Sequence, residues 1–214
     1  MQLTIIDSTS KNEKVRVSDT LFVTTPAEVV LAQAVRVYLS NARQGSSHTK
    51  TRSEINRTKK KWYKQKGTGN ARHGARTPSL FVGGGVAFGP RNIINWSKTL
   101  TSKMRLLALK TALTMQKQQL FLTKELMSLT GKTSEAKALI AQVANTDEKV
   151  LVVLSKSNDL TLRSLRNLTN VLVMTVDRIN ALHVSMADKI LIDFAALKAL
   201  EDRLSKIKKN NLKK

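Results

Sequence analysis

Between Arg43 and Lys98 the chain carries 13 basic residues and one acid, Glu54, a net +12 over 56 residues. From Arg43 to Ser79 its large apolar side chains are Ile55, Trp62 and Tyr63. So little apolar surface cannot offset the ordering entropy of the backbone, about 1–2 kcal/mol per residue. The segment is therefore expected to be mobile alone and to order against a partner. A structureless stretch of this length inside a compact domain normally argues against the assignment, unless it is functional. Run out and back, roughly 25 residues each way at ~3.3 Å per residue allow a reach of up to about 80 Å.

The flanking sequence is different. Residues 1–42 hold four basic and four acidic side chains. Residues 99–214 hold 20 basic and 10 acidic, six of the basic ones within the last dozen positions, so 206–214 reads as a basic C-terminal tail. In all, 37 basic against 15 acidic residues give 37 − 15 = +22. Such an excess repels itself unless phosphates neutralise it, which points to nucleic acid as the partner. The absence of cysteine excludes disulfide frameworks, zinc ribbons, iron–sulfur clusters and thiol catalysis. The opening Met1-Gln2-Leu3-Thr4-Ile5-Ile6-Asp7 has no basic stretch leading into a long apolar run, and nowhere do about 18 apolar residues run unbroken. Neither secretion nor a membrane span is expected.

Around the cationic segment the pattern alternates strands and helices. Short β-like runs stand at Leu3–Ile6 and Lys14–Val17. Thr25-Pro26-Ala27-Glu28 then combines a capping Thr, a Pro at the first helical position and a Glu able to complete a capping box. The helix it starts continues to Asn41, and its narrow polar stripe of Gln33, Arg36 and Ser40 predicts that most of its circumference is buried. A second helix is predicted over Ser97 to Gln118. Three runs, 150–154, 171–176 and 189–192, are too apolar for one wet face and suit parallel strands covered on both sides. Helical crossovers fit 133–145, 159–168 and 178–184, and a closing helix fits Phe194 to Lys208. The fold class is α/β, a three-layer sandwich with a largely parallel central sheet and one long basic internal loop. It reads as a single domain over 1–214, interrupted by the loop at 43–98.

An α/β sheet invites a cofactor, and no glycine cluster supports one. Gly67-Thr68-Gly69 meets Arg72 at the third fingerprint position and does not follow a strand, and no Lys-Ser or Lys-Thr pair follows Gly83-Gly84-Gly85. His48, His73 and His183 are scattered, so no metal site is expected. Asp177, Asp188 and Asp193 lie beside strands, where helix caps and turns explain acids better than catalysis does. The expectation is a protein that is not an enzyme, with no cofactor, no metal, no membrane and no small-molecule substrate.

RNA-binding chemistry is present instead. Lys59-Lys60-Lys61-Trp62-Tyr63-Lys64-Gln65-Lys66 interleaves two aromatics with five lysines, a combination that neutralises phosphates while stacking on unpaired bases. The following stretch from Gly67 to Arg76 mixes glycine, which permits close backbone approach, with arginines that bond or stack. A solvated charge run followed by a flexible linker is the plain alternative, and it leaves Trp62 and Tyr63 unexplained.

Gln65-Lys66-Gly67-Thr68-Gly69-Asn70-Ala71-Arg72-His73-Gly74, then Thr77-Pro78, then Gly83-Gly84-Gly85-Val86-Ala87-Phe88-Gly89-Pro90 resembles the large-subunit ribosomal protein four family, bacterial type, and the resemblance extends over the whole chain. It implies an α/β domain on the outside of the large subunit and a loop threading ribosomal RNA to the wall of the nascent-peptide tunnel. It further implies that Gln65, Lys66, Gly67, Thr68, Gly69, Asn70, Ala71 and Arg72 form the tip of that loop. The candidate RNA contacts are then Arg43, Lys50, Arg52, Arg57, Lys59, Lys60, Lys61, Trp62, Tyr63, Lys64, Gln65, Lys66, Gly67, Thr68, Gly69, Asn70, Arg72, His73, Arg76, Phe81, Gly83, Gly84, Gly85 and Arg91. The implied partners are large-subunit rRNA, neighbouring large-subunit proteins and the nascent peptide, in the cytoplasm, with a role in subunit assembly. Where many relatives have Pro-Trp-Arg this chain has Trp62-Tyr63-Lys64, Asn70 replaces a usual Arg, and Phe81-Val82 replaces a usual Trp-Arg. The same residues would also serve a free-standing RNA-binding regulator.

Overall fold

Short apolar runs and capped helices alternate along the unit formed by Met1–Leu39 and Thr99–Lys214, while Ser40–Lys98 forms a second unit. The structure, a computed structural model, describes residues 2–6 and 11–209. Strand β1 (Gln2–Ile6) pairs antiparallel with β2 (Lys11–Arg16). Helix α1 (Glu28–Asn41) precedes the cationic segment, and α2 (Ser102–Met115) follows it. Next come β3 (Leu120–Thr123), α3 (Thr133–Ala141), β4 (Val150–Leu154), α4 (Asp159–Leu165), β5 (Val171–Thr175), α5 (Ala181–Met186), β6 (Lys189–Asp193) and α6 (Phe194–Lys209). The six strands lie in the order β2-β1-β3-β6-β4-β5, and every pairing other than β1 with β2 is parallel.

Strand periodicity sends alternate side chains to opposite faces, and this builds two cores. Leu151 and Val153 of β4 join Leu120 and Leu122, Ile190 and Ile192, under α1, α2, α5 and α6. Val150, Val152 and Leu154 point the other way and join Leu126, Leu139, Ile140 and Leu165 under α3 and α4. All five positions of β4 are buried, as a parallel strand covered on both faces requires. The molecule is thus an α/β sandwich of the predicted kind.

Several local expectations are corrected. Strand β5 is not covered on both sides: it lies at the sheet edge, its residues are half-buried and Leu172 is exposed. Helix α1 starts at Glu28, and Ala27 rather than Thr25 stands at its N-cap, its carbonyl accepting from the Leu31 amide at 3.1 Å. The helix predicted from Ser97 begins at Ser102, because the Thr101 hydroxyl caps it by accepting from the Met104 amide at 3.4 Å. Helix α1 is not buried around most of its girth: Val30, Leu31, Ala34 and Tyr38 face the core, whereas Val29 and Leu39 are exposed. Strand β3 is an element absent from the expected ones. Leu120-Phe121-Leu122-Thr123 is only four residues long and directly follows a helix and a helical turn at 117–119, so it carries too few alternations to signal a strand. It nevertheless bridges β1 and β6. The expected tail at 206–214 lies largely outside the description: the backbone of 206–209 completes α6, while its side chains and residues 210–214 are outside the described residues.

Because Leu122 is completely buried in β3, Leu122→Ala should cost about 2–5 kcal/mol through lost burial and a residual cavity. A urea titration with an unchanged denaturant midpoint would contradict this placement of β3.

Candidate functional site

Within Ser40–Lys98, residues 42–98 contain no helix or strand, yet the outgoing and returning legs are tied at successive levels. At the neck, the Asn41 side chain donates to Lys98 O (3.0 Å) and accepts from Lys98 N (2.7 Å). Ser40 Oγ donates to Trp96 O at 2.6 Å, and the Arg43 guanidinium lies 4.0 Å from the Trp96 ring centroid. Higher up, Thr49 N donates to Pro90 O and Val86 N to Lys50 O, both at 2.9 Å. Gly85 is required here by space: a Cβ on it would overlap the backbone of Thr51 and Arg52. Almost without large apolar side chains, the segment was expected to have no framework of its own. Backbone and polar side chains supply that framework instead.

Besides Arg43 and Gly85, the predicted RNA contacts Arg57 and Arg91 take part in it. Arg91 forms a bidentate pair with Glu54, Nη1 to Oε2 at 2.8 Å and Nη2 to Oε1 at 2.6 Å. Hydrogen bonding from Arg91, and then from the Thr51 backbone, draws the Glu54 carboxyl down to about 2. Arg57 Nη1 crosses between the legs, donating to Val82 O at 2.8 Å and Arg76 O at 3.2 Å, with its guanidinium beside Gly83. Composition shows these as basic residues only; pairing with carbonyls 19 and 25 positions away is a tertiary property.

Toward the far end the aromatics gather on one another. The Trp62 ring lies 5.5 Å from Tyr63 and 5.5 Å, edge-on, from Phe81, while His73 meets Phe81 at 5.0 Å. Arg76 sits over Trp62 at 4.2 Å. Trp62 N donates to Gly74 O at 2.9 Å, Tyr63 Oη donates to Ala71 O, and Lys61 Nζ reaches Gln65 Oε1 (2.8 Å) and His73 O (3.2 Å). These bonds close the segment, so the chain reverses over 64–70, with Gly67 and Gly69 both at positive φ. Thr68, Asn70 and Arg72 at this end are exposed.

The remaining predicted cations stay free. Lys50, Arg52, Lys59, Lys60, Lys64, Lys66 and Arg72 are exposed and have no side-chain partner in the segment. Gly84 faces inward, where a Cβ would overlap the Pro78 carbonyl. One residue passed over in the sequence is Phe88, fully exposed at φ 55°; its cue was an aromatic placed immediately before Gly-Pro.

Outside the segment the acids flanking strands serve structure. Asp188 Oδ2 accepts from Lys149 N at 2.8 Å. Burial raises Asp193, opposed by hydrogen bonds from Ser155 and the backbone at the start of α6. Burial also lowers His183. Among the described residues no three His, Cys, Asp or Glu side chains group to hold a metal, and no helix is long and apolar enough to cross a membrane.

Fold and segment define a class: a basic three-layer α/β protein carrying a cationic insertion that is braced by its own backbone and lined with unpaired lysines and arginines. The chain belongs to the ribosomal protein L4/L1 family, which it matches over residues 15–203. It is 38% identical over 168 residues to the large ribosomal subunit protein uL4 of Campylobacter lari, covering 78% of this chain and 81% of the relative. To the uL4 proteins of Alkaliphilus metalliredigens and Oceanobacillus iheyensis it is 35% and 36% identical, covering 91% and 83% of this chain and 94% and 86% of theirs. It is therefore a ribosomal protein and not an enzyme.

The Glu54–Arg91 clip has a pH signature. An acid depressed on folding contributes fully above its ordinary value of 4.5 and loses that contribution as pH falls toward about 2. The Glu54 carboxyl carbon should show no NMR titration step between pH 6 and 3.5. A midpoint near 4.5 would mean that Arg91 is not its partner in solution.

Proposed function

We propose that this protein is a structural constituent of the large ribosomal subunit that binds large-subunit rRNA through residues 43–98, borne on a single α/β domain spanning 1–214. The observation that carries the reading is the row of exposed, unpaired cations, Lys59, Lys60, Lys64, Lys66 and Arg72, around the closed end of a segment whose net charge is +12. Each phosphate neutralised releases counterions and contributes roughly 0.7–0.9 to the log–log salt slope. The internal bonds of Arg57 and Arg91 hold the path, so that the free cations meet the backbone of folded RNA in a fixed register. Their partners differ accordingly: the free cations bind phosphate, while the paired ones bind the segment to itself.

The printed names of the relatives, large ribosomal subunit proteins, support this assignment to the subunit. The family membership and the position of the reversal at 64–70 support the finer reading. In it, the closed end Gln65–Arg72 reaches the nascent-peptide exit tunnel, the α/β body packs on rRNA and neighbouring proteins, and the segment aids subunit assembly in the cytoplasm.

Ultraviolet crosslinking in whole lysate, with the linked peptides located by mass spectrometry, tests partner and site together. Crosslinks from 59–81 to large-subunit rRNA are expected, and crosslinks chiefly to messenger RNA would instead identify a free-standing regulator. The paired change Lys59→Glu with Lys60→Glu should weaken rRNA binding by about tenfold or more at moderate salt and flatten its salt slope. Normal incorporation of that variant into large subunits would refute electrostatic anchoring at these positions.

A further inference from the structure

Phe88 combines three features that seldom coincide. Its backbone lies at φ 55°, the left-handed region, and it is the one non-glycine residue there among the described residues. L side chains with a Cβ avoid that conformation, and an aromatic residue held in it marks a place where the surroundings impose the geometry. Its ring is fully exposed, with no ring or cation contact of its own. This separates it from Trp62, Tyr63, His73 and Phe81, which pack on one another.

What imposes the geometry lies on either side. Val86 N is bonded to Lys50 O, and Thr49 N to Pro90 O, so residues 49–50 of the outgoing leg are matched to 86–90 of the returning one. The returning leg thus carries the surplus residues, and Phe88 is at their centre. Gly89 completes the pinch, because a Cβ there would overlap the Thr49 side chain. Both flanks are held by bonds between the legs, and the ring is presented outward between them.

We infer that Phe88 is a preorganised stacking anchor for an unpaired nucleobase of the bound RNA. This deepens the proposed function and rests on it. The occupant is identified by charge: the outgoing leg, bonded to the returning one on either side of Phe88 through Thr49 N and Lys50 O, bears exposed, unpaired Lys50 and Arg52, and an exposed aromatic ring on so cationic a segment matches a base with its attached phosphates. A rigid ring loses little entropy on docking, so the strained backbone is compensated in the complex.

The test uses the full-length protein and deproteinised large-subunit rRNA, comparing wild type with Phe88→Gly and Phe88→Tyr. Glycine accepts φ 55° without strain, so Phe88→Gly keeps the path and removes only the ring, and its melting curve should match wild type. Its affinity should fall by about 5- to 150-fold with an unchanged salt slope, while Phe88→Tyr stays near wild type. If Phe88→Gly binds as tightly as wild type, the anchor is refuted, and the proposed function stands provided that Lys59→Glu with Lys60→Glu still weakens binding. If Phe88→Gly keeps its rRNA affinity but enters subunits poorly, the ring docks on a protein and base stacking is overturned. A wild-type chain that does not bind the rRNA overturns both readings.

Discussion

The backbone of residues 42–98 has to satisfy its hydrogen bonds without a helix, a sheet or an apolar core, and the solution is close approach of its own two legs. That constraint decides which residues are small, which cations are used internally and where aromatics cluster. Gly85 admits the opposite backbone, Arg57 spans the gap to two carbonyls, and Glu54 gives Arg91 a fixed position. Cations spent on holding the path are then distinct from those left exposed along it. Arginine suits the first task, because its planar fork serves two acceptors at once.

The α/β body obeys a separate rule. Its sheet is parallel from β1 to β5, and such a sheet needs helices on both faces. Helices α1, α2, α5 and α6 cover one face, and α3 and α4 cover the other. At the strand ends Asp188 accepts from the Lys149 amide, and Asp193 accepts from Ser155 and from backbone amides at the start of α6.

Much of this was legible in the sequence. The apolar runs at 150–154 and 189–192 announced buried parallel strands, because local patterning and burial act together there; the run at 171–176 announced a parallel strand, but its place at the sheet edge, with Leu172 exposed, depends on the strand order. Strand β3 was not legible, since four residues after a helical turn hold too little periodicity, and its role as a bridge between β1 and β6 depends on pairing with strands distant in sequence. In the segment, the excess charge and the glycine framework were visible. The diversion of Arg57 and Arg91 to internal partners was not, nor was the mutual packing of Trp62, Tyr63, His73 and Phe81. Phe88 stood in the glycine-rich motif without being singled out, because its left-handed backbone and its full exposure are not encoded in composition.

The neck of the segment has a consequence in polymer terms. Asn41 holds Lys98 by two hydrogen bonds, so the 56 intervening residues enter and leave through one pair of adjacent positions. Loop closure costs grow only logarithmically with length, and here the closure is fixed at the mouth. A longer leg would add little closure cost of its own, but it would put out of register the bonds that tie the legs beyond the mouth, Thr49 N to Pro90 O and Val86 N to Lys50 O. The cost of altering the segment therefore lies in its cross-leg bonds and in the residues that permit them, Gly85 and Arg57, rather than in its length.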